Sequence, residues 1–321
     1  MARSAMMAVV VALAAAALGT VHAAQAEDYP TRPVTLIVPY PAGGGADAIA
    51  RLTAQKLSEG LGQQVVVENR PGAGSVIGTR AAAKATPDGY TIVLETTGIS
   101  LPENSGYDAF KDFSPIGIIS STPIVLMAPA SFAPKTIAEV VALAKQKPGK
   151  LNAGTPPAPT LNYFAAEMFK LKASVDIAIV TYKGTGPLTT DLLGEHIDMG
   201  FNTTAPALGN IQAGKLKAIA VLARARLPVL PNVPTASESG LPGFEAELYY
   251  GLMAPAGTPQ PIIQRLNKEL QRAIASPDLK ARIVGDGGAP VGGTPKDYAE
   301  NMKREEAKWA ALVKKLGLVI N

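Results

Sequence analysis

Gly43, Gly44 and Gly45, followed by Ala46 and Asp47, are the residues whose types and spacing first suggest chemistry. A short apolar run, Val34 to Val38, precedes them and is stopped by Pro39, Tyr40 and Pro41, with Ala42 leading into the glycines. After them Ala48, Ile49, Leu52 and Leu57 recur at roughly helical spacing. The pattern is strand, glycine turn, helix. Such a turn leaves backbone N–H groups unpaired at the start of a helix, where the dipole also favours an anion. Glycine lets a ligand approach the backbone with no Cβ in the way. Asp47 is a candidate N-cap. Tyr40 through Asp47 therefore reads as half of a carboxylate site, or as an ordinary connection that binds nothing. The residues alone leave both open. A nucleotide loop is excluded, because no Lys-Ser/Thr follows and the G-x-G-x-x-G spacing is not met.

Stepping outward, the same unit recurs. Gln64 to Glu68 reads as a strand, Asn69 to Ser75 as a second glycine turn, and Val76 to Ala85 as a helix. Pro87-Asp88-Gly89 is a tight turn, and Tyr90 to Leu94 a strand that runs into Glu95-Thr96-Thr97-Gly98. Pro115 to Met127 reads as further strand crossing between domains, and Ile137 to Lys147 as an amphipathic helix opened by Thr136. A second block repeats the logic. Lys150 to Thr155 is a strand, TPPAPT a prolyl turn, and Leu161 to Leu171 a helix. Ile177 to Tyr182 and His196 to Phe201 are strands, with turns at Lys183–Gly186 and Asn202–Thr204. Pro206 to Ala213 is a short helix and Lys217 to Ala223 a strand. Arg226 to Gly243 is a wandering surface connection. Leu248 to Ala254 is a returning strand, and Pro259 to Ala275 and Pro295 to Leu316 are helices, the last carrying Trp309 as a packing residue and Lys303, Glu306 and Lys308 as a solvated face. Short apolar strands alternating with helices predict an α/β fold, each lobe a mostly parallel sheet covered on both faces. In such sheets ligands lie beyond the carboxyl ends of the strands, where these turns fall.

The N-terminus is read separately. Arg3 precedes an apolar run from Ala5 to Leu18, and small residues lead to Ala24-Gln25-Ala26. Residues 1–26 are expected to be a signal peptide cut after Ala26, with Ala23 the alternative. The expected product is a free periplasmic protein of a Gram-negative cell. The 321 residues allow two domains with their own cores. The expected division is 27–127 with 250–321 as lobe 1, and 128–249 as lobe 2.

Composition excludes several classes. There is no cysteine, hence no disulfide and no lipid-modified cysteine. The net charge of +4 is dispersed with no basic stripe, and aromatics are 5%, which argues against nucleic acid. Beyond the expected signal only His196 remains as a histidine. A Cys/His metal set cannot be built, and a Ser-His-Asp triad would require His196, whose place in a strand reads as structural. No cofactor, metal or catalytic residue is expected, and the chain is not expected to be an enzyme.

Laid end to end, these segments resemble a known family. YPTRPVTLIVPYPAGGGADAIARLTAQKL, VVVENRPGAGS, ATPDGYT, YKGTGPLTTDLLGEHIDMGF, IQAGKLKAIAV, LPNVPTASESGLPGFE and YYGLMAPAGTP occur in the order found in the substrate-binding proteins of tripartite tricarboxylate transporters, the Bug family. The resemblance covers about residue 29 to the C-terminus. It implies a two-lobed Venus-flytrap receptor, crossed twice by the chain, that holds a small carboxylate in the cleft and passes it to inner-membrane permease subunits. A membrane sensor as partner, or a periplasmic enzyme in the same cleft, are the competing readings. A monomer is implied. The matching ligand positions are Tyr40, Pro41, Ala42, Gly43, Gly44, Gly45, Ala46 and Asp47. The second turn, Gly72 to Ser75, is expected to add backbone donors at Gly74 and Ser75, and the third turn to add Thr97. From the other lobe come Thr155, Thr160, Asn202 and Thr203. The chain departs from the family pattern in three places. TPPAPTLNY replaces a flexible Gly-Ser-Asn loop, Tyr163 stands where a His is frequent, and Glu95 where a Gly is common. Prolines stiffen the loop and remove donors, which suits a longer aliphatic or an aromatic acid over citrate. Glu95 is read as exposed or salt-bridged, or as facing the cleft, where it would repel a carboxylate.

Overall fold

The computed structural model describes residues 29–97, 105–158 and 160–317. The expected signal peptide, Gly98 and Pro159 lie outside them. Two sheets organise the chain. The first runs through Val34–Val38 (β1), Val65–Asn69 (β2), Thr91–Thr96 (β3), Phe113–Pro123 (β4), Glu247–Pro255 (β10) and Ala289–Gly292 (β11), in the order β11-β4-β10-β3-β1-β2. The second contains Val125–Pro129 (β5), Asn152–Thr155 (β6), Ala178–Thr181 (β7), Met199–Asn202 (β8) and Leu216–Val221 (β9), in the order β7-β6-β8-β5-β9.

Helices cover both faces of each sheet, which is why Val34, Leu36, Ile37 and Val38 are all buried on a strand with no polar side. On the first sheet Gly45–Leu61 (α1), Gln260–Ala275 (α7) and Pro277–Gly285 (α8) pack one face around Leu57, Leu266 and Leu270. Val76–Ala83 (α2) and the start of Pro295–Leu316 (α9) pack the other, around Val93, Met253 and Tyr298. On the second sheet Ile137–Gln146 (α3) and Leu161–Ala173 (α4) lie on one face, and Thr185–Leu193 (α5) and Leu208–Gln212 (α6) on the other. Thr136 caps α3 as its position suggests, accepting from Glu139 N–H.

Both sheets are mixed. The strand–turn–helix units pair in parallel: β1 with β2 and β3, and β6 with β7 and β8. The strands that carry the chain between sheets pair antiparallel: β10 with β3 and β4, and β5 with β8 and β9. The run expected as one strand over Pro115 to Met127 is two, divided at Ile124. At that junction Ile124 N–H donates to Ala246 O, Ala246 N–H to Leu222 O, and Leu222 N–H to Ile124 O, at 2.8–2.9 Å. The outgoing and returning crossings are thus tied side by side.

Three features differ from expectation. The connection from Arg226 to Gly243 is not simply surface, since Leu227, Leu230 and Ala236 within it are buried, as is Phe244 just after it. The helix α8 and the strand β11 lie in a stretch without a readable period. The last helix begins on the first sheet but ends in the second lobe. There Trp309 is fully buried and stacks on Phe164 with centroids 6.1 Å apart, its indole N–H donating to Glu305 Oε2 at 3.0 Å. Lys308, expected on the solvated face, donates to Glu245 O at 2.7 Å and lies over the Trp309 ring. Trp309→Ala should cost about 3–5 kcal/mol, read as a lower urea midpoint.

Candidate functional site

The first turn is built by its glycines and held by Asp47. Gly43 sits at φ +81°, a left-handed conformation that favours glycine. Gly44, extended, is the N-cap of α1 and has no side chain to cap with. Asp47 is therefore not the cap. It is the third helical residue, 4% exposed, and its carboxylate reaches backward. Oδ2 accepts from Gly43 N–H at 2.9 Å and Arg51 Nε at 3.0 Å, and Oδ1 from Asn69 Nδ2 at 2.9 Å. Asn69 Nδ2 also donates to Tyr40 O at 3.1 Å, and Arg51 to Asn69 Oδ1 at 2.9 Å. Burial alone would raise the Asp47 carboxyl; the hydrogen bonds from Arg51, Gly43 and Asn69 outweigh it and hold the group below the usual carboxylate range. The first-turn N–H groups of α1, Gly45, Ala46 and Asp47, have no acceptor within the helix. Of the turn, Pro41, Ala42, Gly43 and Gly45 are exposed, and Ala46 and Asp47 are buried.

The other first-lobe candidates divide by what they already bind. In the second turn Gly72, Ala73, Gly74 and Ser75 all have positive φ, +135°, +46°, +63° and +91°. For Ala73 and Ser75 this is strain. Ser75 N–H is taken by Gly72 O at 3.1 Å, so that donor is spent inside the turn. Thr97 is committed as well. Its hydroxyl donates to Glu247 O at 3.3 Å and accepts from Tyr249 N–H at 2.9 Å, which ties the end of β3 to the start of β10. Tyr40 OH and Thr96 Oγ1 share a hydrogen bond of 2.7 Å across the turns.

Glu95 corrects an expectation. It is 0% exposed and makes no ion pair among the described residues. Oε1 bonds Thr79 Oγ1 at 2.6 Å, and Oε2 has no hydrogen-bond partner there. Burial pushes its carboxyl up to about 8, against hydrogen bonds from Thr79 and the Thr96 backbone that favour the charged form. His196, by contrast, is exposed at the edge of the second lobe beside Asp191.

In the second lobe Thr155 closes β6, fully buried, with its hydroxyl unpartnered among the described residues. Thr160 is the N-cap of α4, yet its hydroxyl donates to Pro156 O at 3.2 Å and caps nothing. Tyr163 follows, half-buried, edge-on to Phe164. Asn202 is sealed: Nδ2 donates to Thr185 O at 3.3 Å and Thr189 Oγ1 at 3.1 Å, and Oδ1 accepts from Thr203 N–H at 2.8 Å. It braces the start of α5, whose N-cap, Gly184, has φ +119° and no side chain.

The two lobes meet at a narrow crevice. Gly45 and Thr203, both anticipated, line it together with Ile49, Ser120, Thr122, Ala205, Tyr250, Ile283 and Asp286. Among the described residues its lining contains no Lys or Arg, and Asp286 is paired with Arg282 at 2.6 Å. An anion placed there would meet N–H and O–H donors from these residues. Sequence reasoning missed Asn69, Arg51, Tyr250 and Ser120. Asn69 had a signal, because parallel strands of equal length put the last residue of β2 beside Val38. Ser120 and Tyr250 had none, lying inside crossover strands.

A family model described as tripartite tricarboxylate transporter family receptor (TctC) matches residues 49–318. The chain belongs to this family. The receptor is 34% identical over 314 residues to BugT of Bordetella pertussis, covering 96% of each chain. It superposes on the periplasmic binding protein BugD with a TM-score of 0.82 at 37% identity, covering 90% of this chain and 99% of that one. A protein from R. palustris solved with adipate gives 0.84 at 33% identity, with 90% and 99% coverage, and MatC from Rhodopseudomonas palustris solved with bound malate gives 0.82 at 32%, with 89% and 100%. The family is one of periplasmic solute-binding receptors. Among the described residues of this receptor no helix is long and apolar enough to cross a membrane.

Asp47→Ala should unfasten the first turn, leaving Arg51 and Asn69 without their acceptor. The expected loss is about 2–4 kcal/mol at neutral pH. The wild-type advantage should be present above the ordinary carboxylate range and vanish as pH falls through the depressed value of Asp47, read from paired melting curves.

Proposed function

We propose that this receptor captures a small organic dicarboxylate between its lobes and delivers it to a tripartite tricarboxylate-type permease of the inner membrane, after export by the signal at residues 1–26. The observation that carries the reading is the uncapped start of α1, which opens at Gly45 into the crevice shared with Thr203 of the other lobe. Helix N–H groups and hydroxyls bind a carboxylate without a fixed cation. The adipate and malate bound by two neighbours above 30% identity are both dicarboxylates, and the same class is proposed here.

The site runs from Tyr40 to Asp47, with Gly74 in the second turn, and takes its other wall from Thr155, Thr160 and Thr203. Within it Asp47, Ser75, Thr97 and Asn202 act by holding the turns, since their polar groups are already engaged inside the protein. One carboxylate bonded by two or three N–H groups contributes roughly 1.5–3 kcal/mol per charged hydrogen bond. Micromolar binding needs about 8 kcal/mol, so both ends of the ligand and the meeting of the lobes must contribute. The prolines that follow Thr155 offer no N–H donors to the far end of a ligand, which favours an aliphatic spacer over a third carboxylate. No catalytic group is assigned in the cleft.

Malate and adipate, each at a hundred times its dissociation constant, should raise the melting temperature by about 5 °C. Gly44→Asp should abolish that rise. Gly44 has φ −81° and its nearest outside neighbour to a Cβ is Pro41 O at 3.5 Å, so the fold accepts the side chain while its charge opposes the ligand. An unchanged rise in this variant would move the site elsewhere.

A further inference from the structure

Thr79 lies between two oxygens that it cannot both serve. Its Oγ1 is 3.0 Å from Ser75 O and 2.6 Å from Glu95 Oε1. A hydroxyl has one proton to give. Ser75 O is a carbonyl and can only accept. If Thr79 donates to Ser75, the hydrogen between Thr79 and Glu95 must come from Glu95. A charged Glu95 would instead demand the Thr79 proton and leave Ser75 O without it. It would also bury Oε2, bare and anionic, in a residue with no exposure.

Among the described residues the surroundings offer no counter-charge. Tyr40 from the first turn, Thr79 from α2, Tyr107 from the segment before β4 and Tyr298 from α9 are the polar groups set toward Glu95. On β10 the residue opposite is Gly251, held side-chain-free because a Cβ would run into the Tyr298 ring. None of these is a cation.

The chain of contacts leads to the cleft. Thr79 holds Ser75, the residue at φ +91° that ends the strained second turn. The Ser75 side chain neighbours Tyr40, and Tyr40 OH bonds Thr96, next to Glu95. Tyr40 in turn opens the glycine turn and is tied by its carbonyl to Asn69. We propose that Glu95 is a positioning residue held as the neutral acid, which through Thr79, Ser75 and Tyr40 keeps both first-lobe turns in place, so that carboxylate affinity falls when Glu95 ionises. The proposal rests on the carboxylate reading above. It gives the glutamate a role at a position where a negative charge would oppose the ligand.

The sign follows from where the proton is held. The folded protein keeps the Glu95 proton over a range in which the unfolded chain has lost it. The associated stability is full at low pH, declines as pH rises above the ordinary carboxylate range, and is gone once pH passes about 8. Affinity is carried by the same proton and falls through that upper limit.

The test compares wild type with Glu95→Gln, whose amide donates to Thr79 at every pH. Binding of malate and adipate is measured by calorimetry from pH 6.5 to 9.5, where both acids are fully ionised, alongside ligand-free melting curves. Wild type should bind roughly tenfold more weakly at pH 9.5 than at 6.5, in the usual range of coupling between sites, while the Gln variant changes less than twofold. Wild-type melting temperature should fall relative to the variant over the same range. Parallel affinity profiles in the two proteins overturn the proposal. If neither acid binds either protein at any pH, the carboxylate reading fails and the affinity claim with it. The melting curves then decide the protonation of Glu95 separately, and parallel curves overturn that too.

Discussion

A turn made of glycines has no side chains with which to hold itself, and here one carboxylate does it. Asp47 gathers Gly43 N–H, Arg51 and Asn69 around its two oxygens. Through Asn69 the same cluster holds Tyr40 O and the end of β2. The turn is therefore stiff without being filled. The N–H groups that begin α1 are not capped by Asp47, the acid of that first turn, because it is engaged with other donors. Were Asp47 the cap of its own helix, it would occupy the first-turn N–H groups that are proposed to meet the ligand. Asn202 plays the corresponding part in the second lobe, spending its amide on Thr185 and Thr189 to fix the start of α5.

Each half of the site is local, but the crevice is not. It exists because β4 and β5 are one continuous run that changes sheets at Ile124, and because β10 returns beside it. Ser120 and Thr122 on the way out and Tyr250 on the way back line the crevice between Gly45 and Thr203. The contact between lobes is close. Thr204 is buried against Gly287, where a Cβ would stand 2.7 Å from the Thr204 hydroxyl. The helix α9 spans both lobes, with Tyr298 near its start in the first core and Trp309 further along in the second.

Behind the first-lobe turns the polar interior is almost entirely hydroxyl. Tyr40, Thr79, Thr96, Tyr107 and Tyr298 surround a carboxyl group, with no cation among the described residues. A neutral acid fits such a place, because it can both donate and accept, and a carboxylate does not. The sequence offers no warning of this. A glutamate three residues before a loop ordinarily reaches solvent, and only the antiparallel return of β10, with Tyr298 packed over Gly251, closes that route.

What the chain determined by itself was the repeating unit. Apolar strands of five or six residues, glycine turns and amphipathic helices are short-range patterns. They placed β1, β3, α3, α7 and α9 within a residue or two of where they lie, and placed Gly45 and Thr203 among the site candidates. The tertiary structure alone decided which candidate side chains are free and which are spent. Asp47, Thr97 and Asn202 look identical in sequence to ligand contacts, since all are polar residues at strand ends. Whether each points to the cleft or inward depends on partners 22, 150 and 17 residues away. The antiparallel pairings of β4, β5 and β10 were likewise invisible, because a crossover strand buried on both sides has no period to reveal its partner. A hydrogen bond between distant residues leaves no mark on local spacing, and this site is made of such bonds.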